Sequence, residues 1–175
     1  MRHSPRTKVA LLHNWKLAVL VGMLLLTPVE RALAAPGGAD RPHLGKCDTV
    51  IPPTPPSFPA QVEIGLTCNF RHLGLTTGTS FQLLEVAGPP SNGVLPLIIS
   101  GRIVYIAANG DELHSTFEGE ASIDFATGAI AFAATETFVG GTGRFSGASG
   151  TSLLEGDASS ATQTGFYVTL GTVSY

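Results

Sequence analysis

Residues 112–125 read ELHSTFEGEASIDF, and this stretch decides the fold. Its odd positions carry Leu113, Ser115, Phe117, Gly119, Ala121, Ile123 and Phe125, and its even positions Glu112, His114, Thr116, Glu118, Glu120, Ser122 and Asp124. Successive side chains of an extended strand point to opposite faces, so the odd face is buried and the even face wet. Gly119 marks a bend or bulge of the kind that lets a sheet curl closed.

Turn signals flank this strand. Asn109-Gly110 suits a two-residue hairpin turn, because such a turn needs positive φ at both positions. It pairs Ala108 with Asp111, Ile106 with Leu113, Val104 with Ser115 and Arg102 with Phe117. On the other side, Thr127-Gly128 pairs Ala126 with Ala129, Phe125 with Ile130 and Ile123 with Phe132. That register turns Ile130, Phe132, Ala134, Glu136 and Phe138 inward. Further Val-, Ile-, Thr- and Phe-rich runs at 61–68, 80–87, 95–100, 151–156 and 165–174 are separated by Gly and Pro signals, and no stretch holds a helical period. The count comes to about eight strands, and eight close into a barrel whose interior is just filled or holds one small ligand. The expected fold is all-β, a single closed antiparallel eight-stranded barrel. Residues 95–107 are apolar on both faces, which calls for a cover over their outer side, either a neighbouring subunit or the Pro-rich arm of the same chain.

Ahead of the barrel lie two segments of different composition. Arg2, Arg6, Lys8 and Lys16 precede the apolar run LAVLVGMLLL at 17–26, and Ala32-Leu33-Ala34 fits a cleavage site. Residues 1–34 are therefore expected to be a signal peptide removed on export, giving a secreted or periplasmic protein. A membrane anchor is disfavoured, because spanning takes roughly 20 apolar residues. Residues 35–59 are expected to form a Pro-rich extended arm, since seven prolines fall in 36–59 and proline cannot serve a sheet interior. The barrel domain is then 60–175.

Beyond residue 34 the chain keeps five basic residues (Arg41, Lys46, Arg71, Arg102, Arg144) against twelve acidic ones, a net charge of −7. Such a surface repels phosphate backbones, so no nucleic-acid partner is expected. No second apolar run is long enough for a membrane span. Cys47 and Cys68, two cysteines in an exported chain, point to a disulfide, with free thiols or a metal site as alternatives. Ligand spacing for zinc is missing, and His43 and His72 look isolated, so neither metal nor cofactor is expected.

Gly140-Gly141-Thr142-Gly143-Arg144-Phe145, followed by Gly147-Ala148 and Gly150, resembles the glycine signature of the allene oxide cyclase and dirigent barrels. Ala108-Asn109-Gly110-Asp111-Glu112-Leu113 and Glu136-Thr137-Phe138 resemble bacterial relatives of the same superfamily. The resemblance covers about residues 60–175. It implies a calycin-like eight-stranded barrel, often trimeric, with a largely apolar cavity. Plant cyclases of the superfamily close a ring on a fatty-acid epoxide, and dirigents steer phenolic intermediates. The functional residues of those proteins find no matching positions here. The glycines also lack the Lys-Ser/Thr of a phosphate loop, and a tight corner between strands accounts for them better.

The register above places Arg102 and Glu136 on the inward face on either side of Gly119, as a structural ion pair or as a polar anchor in an apolar cavity. Phe117 and Phe132 complete the candidate ligand-binding set. Tyr105 and His114 fall together on the outer face, and Arg71-His72 at a barrel rim. No nucleophile, zincin or paired-carboxylate motif is present, so no catalytic residue is assigned. Three functions remain: an exported barrel that binds a small hydrophobic molecule, a cyclase or isomerase that shapes a reactive intermediate, and a structural or adhesive module with a solid interior.

Overall fold

The structure, a computed structural model, describes residues 38–175. The expected signal peptide, 1–34, and residues 35–37 of the expected arm lie outside the described residues. Eight antiparallel strands follow one another around a closed barrel: β1 (Asp40–Val50), β2 (Ala60–Phe70), β3 (Gly74–Val86), β4 (Val94–Ile106), β5 (Glu112–Asp124), β6 (Ala129–Gly141), β7 (Ser149–Ser159) and β8 (Thr164–Ser174). β8 pairs back onto β1. A single 3-10 turn, Gly143–Phe145, interrupts the connection between β6 and β7.

The decisive stretch behaves as its alternation requires. Leu113, Ser115, Phe117 and Ile123 of β5 are buried, while Thr116, Glu118 and Glu120 are exposed. Phe125 falls in the turn after β5 and is exposed. The barrel begins earlier than its prolines suggest. Residues 40–50, assigned above to the arm, form β1 and close the sheet. Pro42 is the only proline within that strand, and five of the others crowd into 52–59. The weight of proline in the surrounding segment hid an alternating strand whose His43, Cys47 and Thr49 point inward and are buried. The run 95–100 continues unbroken to Ile106 as one strand, β4.

Both central hairpins differ from their expected form, with opposite consequences. Between β4 and β5, Gly110 N–H donates to the Ala107 carbonyl at 2.8 Å and Ala107 N–H to the Asp111 carbonyl at 2.9 Å. Only Gly110 adopts a left-handed φ, +87°, and Asn109 does not. The loop therefore holds three residues, 108–110, in the turn-plus-bulge form rather than the two-residue form. One added residue slides the register by one and reverses the face of β4. Arg102 lies opposite Thr116, and Tyr105 opposite Leu113. Between β5 and β6 the loop grows by two residues, with Gly128 N–H bonded to the Asp124 carbonyl. An even shift preserves the face. Ala134, Glu136 and Phe138 are buried as expected, with Glu136 opposite Phe117 rather than Gly119.

The two barrel ends differ. At one end Phe70, Leu73, Phe145 and Val173 pack into a closed plug. Gly143 has a φ of +52°, and the Asp111 carboxylate sits where its side chain would be. This corner is the structural role expected of the glycine signature, and it drops Phe145 into the barrel with no exposed surface. At the opposite end the proline-rich connection between β1 and β2 crosses the mouth, with Phe58 packed against Leu95, Leu97 and Ile123. Among the described residues nothing covers the outer face of β4, with Ile98 48% and Ile106 41% exposed.

Cys47 and Cys68 are directly opposed on β1 and β2 and form a disulfide. It closes a loop with a sequence separation of 21 and locks the mouth-crossing connection between two paired strands. The chain-entropy model assigns a bridge of this loop length about 3 kcal/mol. Replacing both cysteines by alanine is expected to lower unfolding stability by about that amount in urea titrations while leaving the β circular-dichroism spectrum unchanged.

Candidate functional site

Three layers fill the barrel from mouth to plug, and each answers a different part of the sequence reading. The upper layer is a cavity of about 100 Å³. Its wall is built by inward residues of every strand, among them Ile64, Leu84, Ile99, Phe117, Phe132 and Leu154. Residues 51–55 of the proline-rich connection form its roof. Among the described residues no charged side chain lines it. The polar groups that do are Thr49, Thr54, Ser80, Gln82 and Tyr167.

The middle layer is polar and closed on itself. Glu136 has no exposed surface. Its Oε1 accepts hydrogen bonds from Ser115 Oγ at 2.6 Å and from the Tyr105 hydroxyl at 2.9 Å, and its Oε2 accepts one from Ser152 Oγ at 2.6 Å. The Tyr167 hydroxyl lies 3.2 Å from that of Tyr105. Tyr105 gives its proton to Glu136, so its oxygen is free to accept the proton of Tyr167. Four hydroxyl protons thus find four acceptor positions, which is how a carboxylate survives in an apolar interior. Burial pushes the Glu136 carboxyl above its ordinary value, opposed by the donors from Ser115, Ser152 and Tyr105. Burial and then the Glu136 charge push both tyrosines upward. Only Tyr167 belongs to both this layer and the cavity.

The lower layer sits in the plug. His43 Nδ1 lies 3.0 Å from His72 Nε2, and His72 Nδ1 lies 3.0 Å from the Tyr175 hydroxyl. The two histidines that look isolated in sequence are therefore joined, because the start of β1 and the turn after β2 meet at the closed end. Burial, then His72, lowers the pKa of His43 to about 3. Burial, then Arg41 and Arg144, lowers that of His72 to about 4. His43 Nε2 is buried without a hydrogen-bond partner among the described residues.

Against this arrangement, the predicted site residues separate. Phe117 and Phe132 line the cavity, and Glu136 lies beneath it. Arg102 does not meet Glu136. It lies on the outer face, its guanidinium 4.5 Å from the centre of the Phe81 ring. The three-residue hairpin that turns Arg102 out turns Tyr105 in, so the expected Arg102–Glu136 pair is replaced by a tyrosine hydrogen bond. Tyr105 and His114 are likewise not partners. His114 bonds instead to Glu112 at 2.7 Å on the outer face. His72 faces the plug rather than an entrance. Ser80, Gln82 and Tyr167 escaped the sequence reading. The strand containing Ser80 and Gln82 was legible, but its polar face gave no reason to be placed inside.

Neither a protein-family model, nor a curated protein, nor a solved structure matches this chain.

Two outcomes follow from the layers. Glu136→Ala leaves three buried hydroxyl donors without their acceptor and should cost on the order of 3 kcal/mol. Arg102→Ala, which removes one exposed cation–π contact, should cost about 1 kcal/mol or less. Equal losses in urea titrations would restore the inward register for Arg102. The second outcome concerns pH. Both histidines have folded values below the ordinary 6.5, so the unfolded chain takes up protons first. The stability that they contribute is present above pH 6.5 and is lost as pH falls toward 4 and 3. The melting temperature of the parent protein should fall more steeply across that window than that of His43→Phe.

Proposed function

We propose that this protein is an exported barrel that holds a small, mainly apolar molecule in the cavity at its mouth end. The observation that carries the reading is the wall itself, which is mainly apolar, with Thr49, Thr54, Ser80, Gln82 and Tyr167 as its polar groups and no charged side chain among the described residues. Small-molecule sites have this composition, an apolar lining with a few placed polar groups. An apolar cavity of comparable size, about 150 Å³, stays dry and accepts benzene. The buried disulfide is consistent with export. The relation to allene oxide cyclase and dirigent barrels rests on the glycine signature and on the shared closed barrel of eight strands.

Binding is favoured over cyclase or isomerase chemistry by the position of Glu136. Its carboxylate is engaged by three protein hydroxyls and lies outside the cavity lining. A general acid or base must reach the proton that it moves. A solid structural module is disfavoured by the cavity.

The test is uptake by the purified protein, followed by native mass spectrometry before and after organic extraction. A molecule released on extraction, or a rise in melting temperature with toluene, is expected. Ala121→Phe places a ring in the cavity and should abolish both effects while raising the melting temperature of the unliganded protein or leaving it unchanged. An empty protein that takes up no toluene would overturn the proposal.

A further inference from the structure

β3 is built against its own hydrophobic pattern. Its inward positions are Thr76, Gly78, Ser80, Gln82 and Leu84, while Leu75 and Phe81 face outward, 69% and 36% exposed. The pairing leaves no doubt about the face, since Gln82 lies opposite Val62 and Gly101, and Phe81 opposite Glu63 and Arg102. Burying a phenylalanine is ordinarily worth about 2–3 kcal/mol over leaving it in water. Turning a buried serine and a half-buried glutamine inward in its place is unfavourable unless their hydrogen bonds are made. Departures of this kind from local pattern are expected where a site is being served.

The hydrogen bonds are made only in part. Gln82 Nε2 donates to Ser80 Oγ at 3.2 Å. A primary amide offers two N–H donors and an acceptor oxygen, so among the described residues one donor and the oxygen remain. Exchange of the amide nitrogen and oxygen would change which group remains but not that one does. Both residues line the cavity. Ser80 is 2% exposed, and its bond holds the glutamine against the wall. Opposite Gln82 on β4 stands Gly101, which puts no side chain in its way.

From this we infer that Gln82, positioned by Ser80, is the polar anchor of the cavity, and that the ligand is an uncharged molecule with a hydrocarbon body and one hydroxyl or carbonyl group. The inference rests on the binding function proposed above and narrows it. A carboxylate or ammonium ligand would bring a full charge among apolar walls with no opposite charge to meet it, and desolvation excludes it. A pure hydrocarbon would leave the free amide group of Gln82 without a partner.

Toluene and phenol have nearly the same shape and differ by a methyl against a hydroxyl. Benzoate and benzylammonium add the two charges. Calorimetric titration of all four into the parent protein and Gln82→Met removes the solvation of each probe from the comparison, because only the ratio of affinities is read. The phenol-to-toluene ratio should fall about fivefold in Gln82→Met, the worth of one hydrogen bond of about 1 kcal/mol. Ser80→Ala should lower the ratio in the same direction, and it carries the test if Gln82→Met fails to fold. On the parent protein alone, phenol should move the side-chain amide resonances of Gln82 and toluene should leave them. Benzoate and benzylammonium should not bind at concentrations that saturate phenol. An unchanged ratio with toluene still bound, or benzoate binding as tightly as phenol, overturns the anchor and leaves the cavity reading standing. Failure of every probe to bind overturns both.

Discussion

A carboxylate buried without a counter-ion has to be satisfied by hydrogen bonds, and for Glu136 that requirement reaches across half the barrel. Tyr105 comes from β4, Ser115 from β5, Glu136 itself from β6, Ser152 from β7 and Tyr167 from β8. Five consecutive strands must hold one register for these groups to meet. A slip of one residue in any pair would turn a donor to the outside and leave a buried oxygen unpaired. The cluster therefore works as a register lock, and the layers above and below take their places from it.

The lock also separates two chemistries within one small interior. Above it, the Tyr167 ring helps to floor a mainly apolar cavity to which β3 contributes Ser80 and Gln82. Below it, aromatic rings and the His43–His72–Tyr175 chain fill the closed end. The glycine signature belongs to this lower end, since its corner inserts Phe145. That motif accordingly speaks about how the barrel is plugged and not about what its mouth receives. The proline-rich connection belongs to the upper end, where its fixed backbone angles and missing donors suit a roof that joins no sheet.

Legibility in the sequence followed the physics of each element. The strand at 112–125 was readable because one face is wet and the other dry, and its partner β6 kept the right face because its loop erred by an even number. β4 lost its face to a single residue. Asn-Gly fits a two-residue turn and a three-residue turn with a bulge equally well, and nothing local in Ala107 or Asp111 distinguishes them. This one ambiguity moved Arg102 inward and Tyr105 outward. β1 was obscured by prolines that cluster beyond its end. β3 was visible as a strand, but its inner face was not, since Phe81 and Leu83 look like core and Ser80 and Gln82 like surface. The disulfide needed only two cysteines and an N-terminal segment that reads as an export signal.

The central claim is that a dry, apolar cavity lies above a fully satisfied polar layer. A crystal structure of the protein under xenon pressure addresses it most directly, because xenon enters apolar voids and leaves polar ones to water. Xenon density is expected to be bounded by Phe117, Phe132 and Leu97, with none around Glu136. A mouth filled by ordered water or by collapsed side chains, or xenon lodged among the hydroxyls of Tyr105, Ser115 and Ser152, would contradict it.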